Sequence, residues 1–195
     1  MKLSNTLFLV AIIGLSSYTL KNSNQKVKEY FSIPLVQYSN TSYQLSWSSH
    51  PSENYYKQEY LAAGEKETTF THMIMIEAVV GNITLKDAVG AKIAELEQRK
   101  KSDALVNYQV IENKATGEYM LDFIMSDAIG TANAIVEWNA YRYSNLKGNK
   151  GVQLFALSKR GYGAATTNFL KDLKTMRPKD ISSFAAAKVP QVVIK

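Results

Sequence analysis

Residues 134–160 read "AIVEWNAYRYS" (134–144), "NLKGNK" (145–150) and "GVQLFALSKR" (151–160). Two runs rich in β-branched and aromatic residues flank a short segment carrying Gly148, which is the pattern of a β-hairpin. Successive side chains in a strand alternate between faces. Val136, Trp138, Ala140 and Arg142 therefore share one face, and Ile135, Glu137, Asn139, Tyr141 and Tyr143 the other. A hairpin closing around Lys147 and Gly148 sets Trp138 against Leu157, Ala140 against Phe155, Glu137 against Ser158 and Asn139 against Ala156, with Arg160 diagonal to Glu137. A slip of one residue exchanges these partners.

Just upstream, "LVNYQVIEN" (105–113), the turn "KATG" and "EYMLDFIMSD" (118–127) complete a four-strand antiparallel meander. Farther upstream, "NYYKQEYL" (54–61) and "TTFTHMIMIEAVV" (68–80) form a strand pair joined by "AAGEKE". Met73 to Ile76 are apolar on both parities, which predicts cover on both faces there. A helix is predicted over 84–101, where Thr84 and Asp87 suit a capping box and Leu85, Val89, Ile93 and Leu96 recur as one stripe. A last helix should begin near Thr166 or Thr167, bury Phe169, Leu170, Leu173 and Met176, and stop before Pro178.

The expected fold is therefore α+β: strand pair, helix, four-strand meander, helix, with the antiparallel sheet packed between helices. A cystatin-like curved sheet on one helix is the alternative. Over residues 53 to 177 this element order resembles the Mog1/PsbP-like superfamily, whose members include photosystem accessory subunits and a GTPase-binding protein. The likeness is one of element order, with no shared motif. It implies binding rather than catalysis.

The N-terminus follows Lys2 with "LFLVAIIGL" (7–15) and then polar residues, the layout of an export signal over residues 1–20 that is too short to span a bilayer. Residues 21–52, rich in Ser, Asn, Gln and Tyr, read as a polar linker or arm with one edge strand around Tyr43 to Trp47. Residues 53–195 then form the single domain. The chain has no Cys, which rules out disulfides, thiolate metal sites and a cysteine nucleophile. An exported chain without disulfides points to a bacterial periplasm or the outside of the cell. The formal net charge is +6, yet Lys and Arg are scattered, and the one tight run, "QRKKSD", ends a predicted helix whose dipole it stabilises. Nucleic acid is accordingly a poor expected partner; an envelope protein or polymer is a better one.

The inventory for catalysis is thin. His50 and His72 are the only histidines, and no H-E-x-x-H or G-x-S-x-G motif occurs. Glu77, Asp122 and Glu137 each lie inside an apolar strand, where an ionised group is costly unless it is paired or exposed. Two of them about 5 to 10 Å apart across a pocket would suit a cell-envelope hydrolase. In "RGYGAATTNFL" (160–170), Gly161 and Gly163 lie between a strand and a helix start, with Arg160 before them and Thr166 after. Such a turn can hold an anion on free backbone N–H groups, and it can equally be a chain reversal. No parallel strand follows to make a dinucleotide site.

The leading expectation is an exported, non-enzymatic binding or accessory domain, with no cofactor or metal and no catalytic residue assigned. Its candidate ligand-binding residues are Glu137, Asn139 and Tyr141 on one strand face, and Arg160, Gly161, Gly163 and Thr166 at the turn. A Glu, Asn and Tyr row can orient a polar ligand. The same row can also be the half-exposed face of a sheet with Glu137 and Arg160 as a structural pair.

Overall fold

A computed structural model of the chain describes residues 27–148 and 150–195. The expected signal segment, residues 1–20, lies outside these. The strands are β1 (Leu35–Tyr38), β2 (Thr41–Ser52), β3 (Tyr55–Ala62), β4 (His72–Val80), β5 (Asn107–Asn113), β6 (Glu118–Asp127), β7 (Ile135–Asn145) and β8 (Gly151–Tyr162). Helix α1 (Leu85–Arg99) follows β4, and α2 (Thr166–Ala186) follows β8 after a single 3-10 turn. All eight strands join one antiparallel sheet in the order β1-β2-β3-β4-β8-β7-β6-β5.

This corrects the expected architecture. Strand accounts for 43% of the described residues and helix for 23%, too little helix to enclose the sheet between layers. Helix α1 stands on β6 and β7, and α2 crosses β7 and β8. Much of the remaining core is strand and chain end. Phe31, Ile33 and Val192 pack with Val36, Tyr43 and Tyr60, and Tyr38 of β1 meets Phe184 of α2 edge to face, with ring centroids 5.5 Å apart. The element order behind the Mog1/PsbP likeness also lacks two strands. Residues 35–38 and 41–52 of the expected polar arm are β1 and β2 and pair along the sheet edge; the edge strand expected around Tyr43 to Trp47 lies within β2, and β1 is a strand that the sequence reading does not include. The Ser, Thr and Gln content of β2 reflects a strand largely open to water, which needs no apolar run.

Local chemistry explains most of the other elements. The Thr84 hydroxyl accepts from the Asp87 N–H at 3.1 Å and the Asp87 carboxylate accepts from the Thr84 N–H, so the capping box starts α1. The buried stripe of α1 is Leu85, Val89, Lys92 and Leu96, with Lys92 in place of Ile93. Helix α2 does not stop before Pro178. Proline removes one backbone bond from a helix interior, but the second half is fastened to the sheet. Phe184 stacks on Phe155 at 4.8 Å, Lys159 Nζ reaches Asp180 at 2.7 Å, and Arg142 donates to the carbonyls of Ala185 and Ala187. A guanidinium on the last carbonyls also complements the helix dipole.

The β7/β8 pairing sits two residues beyond the expected register: Trp138 faces Lys159, Ala140 faces Leu157, Glu137 faces Arg160 and Asn139 faces Ser158. Pairing begins at Asn145 with Val152, so the connection is centred one residue later than a turn on Lys147 and Gly148. A shift of two keeps parity, so the two faces survive while the partners change. Trp138 and Arg142 lie under α2, and Glu137, Asn139 and Tyr141 lie on the α1 side.

Candidate functional site

The cross-strand register fixes the floor of the α1 side row by row. Glu137 is opposite Arg160. Asn139 is opposite Ser158, which is opposite Met73. Tyr141, Ala156, Met75, Glu59 and Trp47 form the next row, and Tyr143, Leu154, Glu77 and Lys57 the one after it. Helix α1 covers part of this strip: its Leu85, Val89 and Leu96 cluster with Met75, Ala156, Leu154 and Tyr143, and Lys92 reaches over the rings of Phe123 and Tyr141, 5.2 and 5.6 Å from their centroids.

The strip is polar and mostly inaccessible: Glu77 and Glu137 are 6% exposed, Lys92 3%, Ser158 1% and Asn139 0%. Charges at such burial need partners, and they have them. Glu137 is paired with Arg160, whose guanidinium also lies over the Phe70 ring at 4.2 Å. Lys57 Nζ is 2.9 Å from Glu59 and 4.0 Å from Glu77. Lys92 Nζ is 2.8 Å from Glu95. Burial pushes the Glu77 carboxyl above its ordinary range, against the pull of Lys57 and a hydrogen bond from Tyr55. Burial also opposes the charge on Lys57, but Glu59 and Glu77 together hold its pKa above the ordinary value. The hydroxyls of Tyr141 and Tyr143 are pushed well up by burial and by neighbouring carboxylates, so both stay protonated donors.

Asn139 is the exception in this satisfied network. Its Oδ1 accepts from Ser158 Oγ at 2.5 Å, while its Nδ2 is buried without a hydrogen-bond partner, the one such side-chain atom among the described residues.

Of the residues expected from sequence, the structure brings Glu137, Asn139, Tyr141 and Arg160 together here. It places Gly161, Gly163 and Thr166 elsewhere. A Cβ on Gly161 would lie 2.7 Å from Phe169 Cβ, so that glycine lets α2 pack closely on β8. Gly163 has φ +52 and donates its N–H to Ala134 O at 2.7 Å, and the Thr166 hydroxyl donates to Gly163 O. A groove of about 520 Å³ lies beside this turn, walled by residues such as Ile129, Thr131, Ala132 and Leu170, and no cation lines it among the described residues. Arg160 is committed to Glu137, so the anion-holding arrangement is not assembled.

The three strand carboxylates also part company. Asp122 faces α2, accepting from Trp138 Nε1 at 2.6 Å and from Arg177 Nε at 2.8 Å. Glu77 and Glu137 share the α1 face, but Glu77 lies in the row of Tyr143, six residues of strand from Glu137 or about 20 Å along the backbone. Each has its own cation. His50 stacks on Tyr56 at 4.1 Å and His72 bonds Thr71, so neither joins the strip. Among the described residues no group of three or more His, Asp or Glu can hold a metal ion.

Sequence reasoning missed Lys57, Glu59, Lys92 and Trp47. Lys92 was detectable as a charge at a buried-stripe position, and Lys57 and Glu59 as charges on one parity of an otherwise aromatic strand. Trp47 was hidden by a β-bulge. Leu45 pairs with Tyr60 and Trp47 with Glu59, so the extra residue between them turns the indole onto the α1 face. Lys57 Nζ lies 5.6 Å from that indole.

A family model matches residues 31–189, from ahead of β1 to just past α2. The chain belongs to that protein family. Every residue of the strip falls within the match, as do β1 and β2. Nothing in the match links the chain to the Mog1/PsbP-like superfamily. No curated protein matches the sequence. No helix among the described residues is long and apolar enough to cross a membrane.

Proposed function

We propose that this protein is a non-enzymatic binding domain that receives a polar molecule on the α1-side strip, and that it works outside the cytoplasm, as the apolar run from Leu7 to Leu15 suggests. The observation that carries the reading is the free Nδ2 of Asn139. A buried donor without a partner costs about 1–3 kcal/mol, and folded proteins keep few of them. Here it stands among groups that are otherwise matched, with aromatic rings and charged side chains beside it. Nδ2 is covered in the folded chain, so a ligand oxygen reaches it by displacing part of that cover, and accepting from it would recover the loss. Binding is favoured over catalysis because the carboxylates of the strip are tied to cations and do not face one another as an acid and base pair.

The test is a thermal-shift screen of wild type and Asn139→Leu against sugars, amino acids, short carboxylates and nucleosides. A ligand that binds only the folded chain raises its melting temperature by mass action. A compound that stabilises wild type and not Asn139→Leu supports the reading. Equal stabilisation of both proteins by every hit, or no hit at all, counts against it.

A further inference from the structure

We infer that β5 pairs with β5 of a second copy of this chain, across a two-fold axis at Val110. The sheet ends on one side at β1 and on the other at β5. An edge strand presents unpaired backbone groups, and natural proteins blunt it by shortness, proline, bulges or charges such as lysine. β1 is blunted in this way: it has four residues, follows Pro34, and ends at Ser39 and Asn40, whose φ angles are positive. β5 is not. Its seven residues, NYQVIEN, include no proline or lysine, and its pairing with β6 runs without a register shift.

The open side of β5 carries the groups that another strand needs. Asn113 turns its carbonyl towards the β6 side, where it accepts from the Gly117 N–H at 2.8 Å. Backbone groups alternate along a strand, so Tyr108, Val110 and Glu112 point theirs away from β6. Among the described residues no backbone group elsewhere in the chain bonds to them. The Val110 side chain is also open, at 39% exposure, although it lies beside buried Leu121.

The sequence of the strand points to its own copy as the occupant. An axis at Val110, the middle residue, sets Val110 against Val110 of the second copy, Gln109 against Ile111, Tyr108 against Glu112 and Asn107 against Asn113. Every residue of β5 is then paired. Glu112, the one charged residue of the strand, falls opposite Tyr108, so like charges do not meet. The two valines join the apolar clusters under each α1 across the axis. The helices leave room for this. α1 stands mainly on β6 and β7, and α2 on β7 and β8, while the two copies of β6 would be three inter-strand steps, or about 14 Å, apart.

Sedimentation velocity on the wild-type chain from about 1 to 500 μM tests the pairing. About six backbone hydrogen bonds and one apolar contact make a small interface, so a dimer should appear at concentrations on the order of 10–100 μM. Val110→Lys should stay monomeric throughout, with the wild-type melting temperature at low concentration. The natural chain has no Cys, so Val110→Cys adds a single thiol placed on the axis, where opposed Cα atoms lie about 5.5 Å apart and a disulfide can form. On oxidation this variant should form a covalent dimer at least tenfold faster than Glu112→Cys, whose two copies are held about 13 Å apart along the strands. A wild-type chain that is monomeric at every concentration overturns the inference. So does a dimer that survives Val110→Lys, or cross-linking of Glu112→Cys as fast as that of Val110→Cys.

Discussion

Replacing Asn139 with leucine and Ser158 with alanine together separates a ligand site from a structural network. The double change removes the buried, unpartnered Nδ2 and also the hydroxyl whose 2.5 Å bond to Oδ1 would otherwise lose its acceptor. Relief of an unmatched buried donor returns about 1–3 kcal/mol, and the lost hydrogen bond forfeits about 1 kcal/mol. Leucine keeps asparagine's branching and number of heavy atoms but is bulkier, so no cavity opens at 139, and removing the Ser158 hydroxyl offsets part of the added volume. The net expectation is a chain as stable as wild type or up to about 2 kcal/mol more stable. For a chain of this size that is a rise in melting temperature of at most about 4 to 8 °C. Urea and thermal denaturation followed by circular dichroism measure it, with ligand affinity determined on the same preparations. Stability retained with affinity lost is the pattern of a residue kept for binding at the expense of folding. A loss of more than about 2 kcal/mol would show that Asn139 holds the sheet together and would refute the reasoning.

Phe184 is fully buried against Phe155 beyond Pro178, so Phe184→Ala should cost about 3–5 kcal/mol in denaturant melts; a loss below 1 kcal/mol would mean the second half of α2 is not fastened as described. Gly161→Ala forces a Cβ against Phe169 Cβ and should also destabilise, and an unchanged melting temperature would show that α2 can shift to make room. Burial raises the Glu77 pKa above its ordinary 4.5, so the folded chain keeps a proton that the unfolded chain releases. Its contribution is full below about pH 4.5 and is lost as pH rises through the higher folded value. Glu77→Gln should therefore gain stability relative to wild type between pH 4 and pH 8, and a pH-independent difference would contradict this. Glu29 behaves in the opposite sense: burial opposes its charge, but Lys195 and the N–H groups of Ile33 and Phe31 hold its pKa down to about 2. Its stabilisation is present above about pH 4.5 and is lost as pH falls towards 2. Because Lys195 is more than half exposed, Glu29→Gln should cost only about 1 kcal/mol at pH 7 and nothing near pH 2.

The parts of this fold legible in the sequence are those set by local chemistry. The capping box at Thr84, the alternation of "IVEWNAYRYS" and the glycine-bearing connections follow from neighbours in the chain, and strands β3 to β8 fall on the predicted segments. Tertiary packing decided the rest. β1 is too short a strand to stand out from the surrounding polar composition and β2 is largely polar because most of it is open to water, and α2 continues through Pro178 because Phe184, Asp180 and Arg142 tie its far end down. The β7/β8 register depends on turn geometry that a glycine count does not specify.

For the candidate site, parity identified Glu137, Asn139 and Tyr141 as one row, and Arg160 proved to be the direct partner of Glu137. The opposing charges, Lys57 and Lys92, depend on strand order and on how α1 is rotated, and Trp47 depends on a bulge that simple alternation does not reveal. The row that looked like an open binding face is instead mostly covered, which moves the question from surface recognition to an unmatched donor beneath the surface.

The chain's two tryptophans allow a direct test of the ligand strip. Trp47 stands on the strip, whereas Trp138 lies on the opposite face with its Nε1–H held by Asp122 at 2.6 Å. In nitrogen-15 NMR spectra titrated with a compound that the thermal-shift screen selects, the Trp47 indole and Asn139 side-chain amide signals should move together while the Trp138 indole stays fixed. Both Trp47 and Asn139 remaining still, or Trp138 alone moving, would contradict the account.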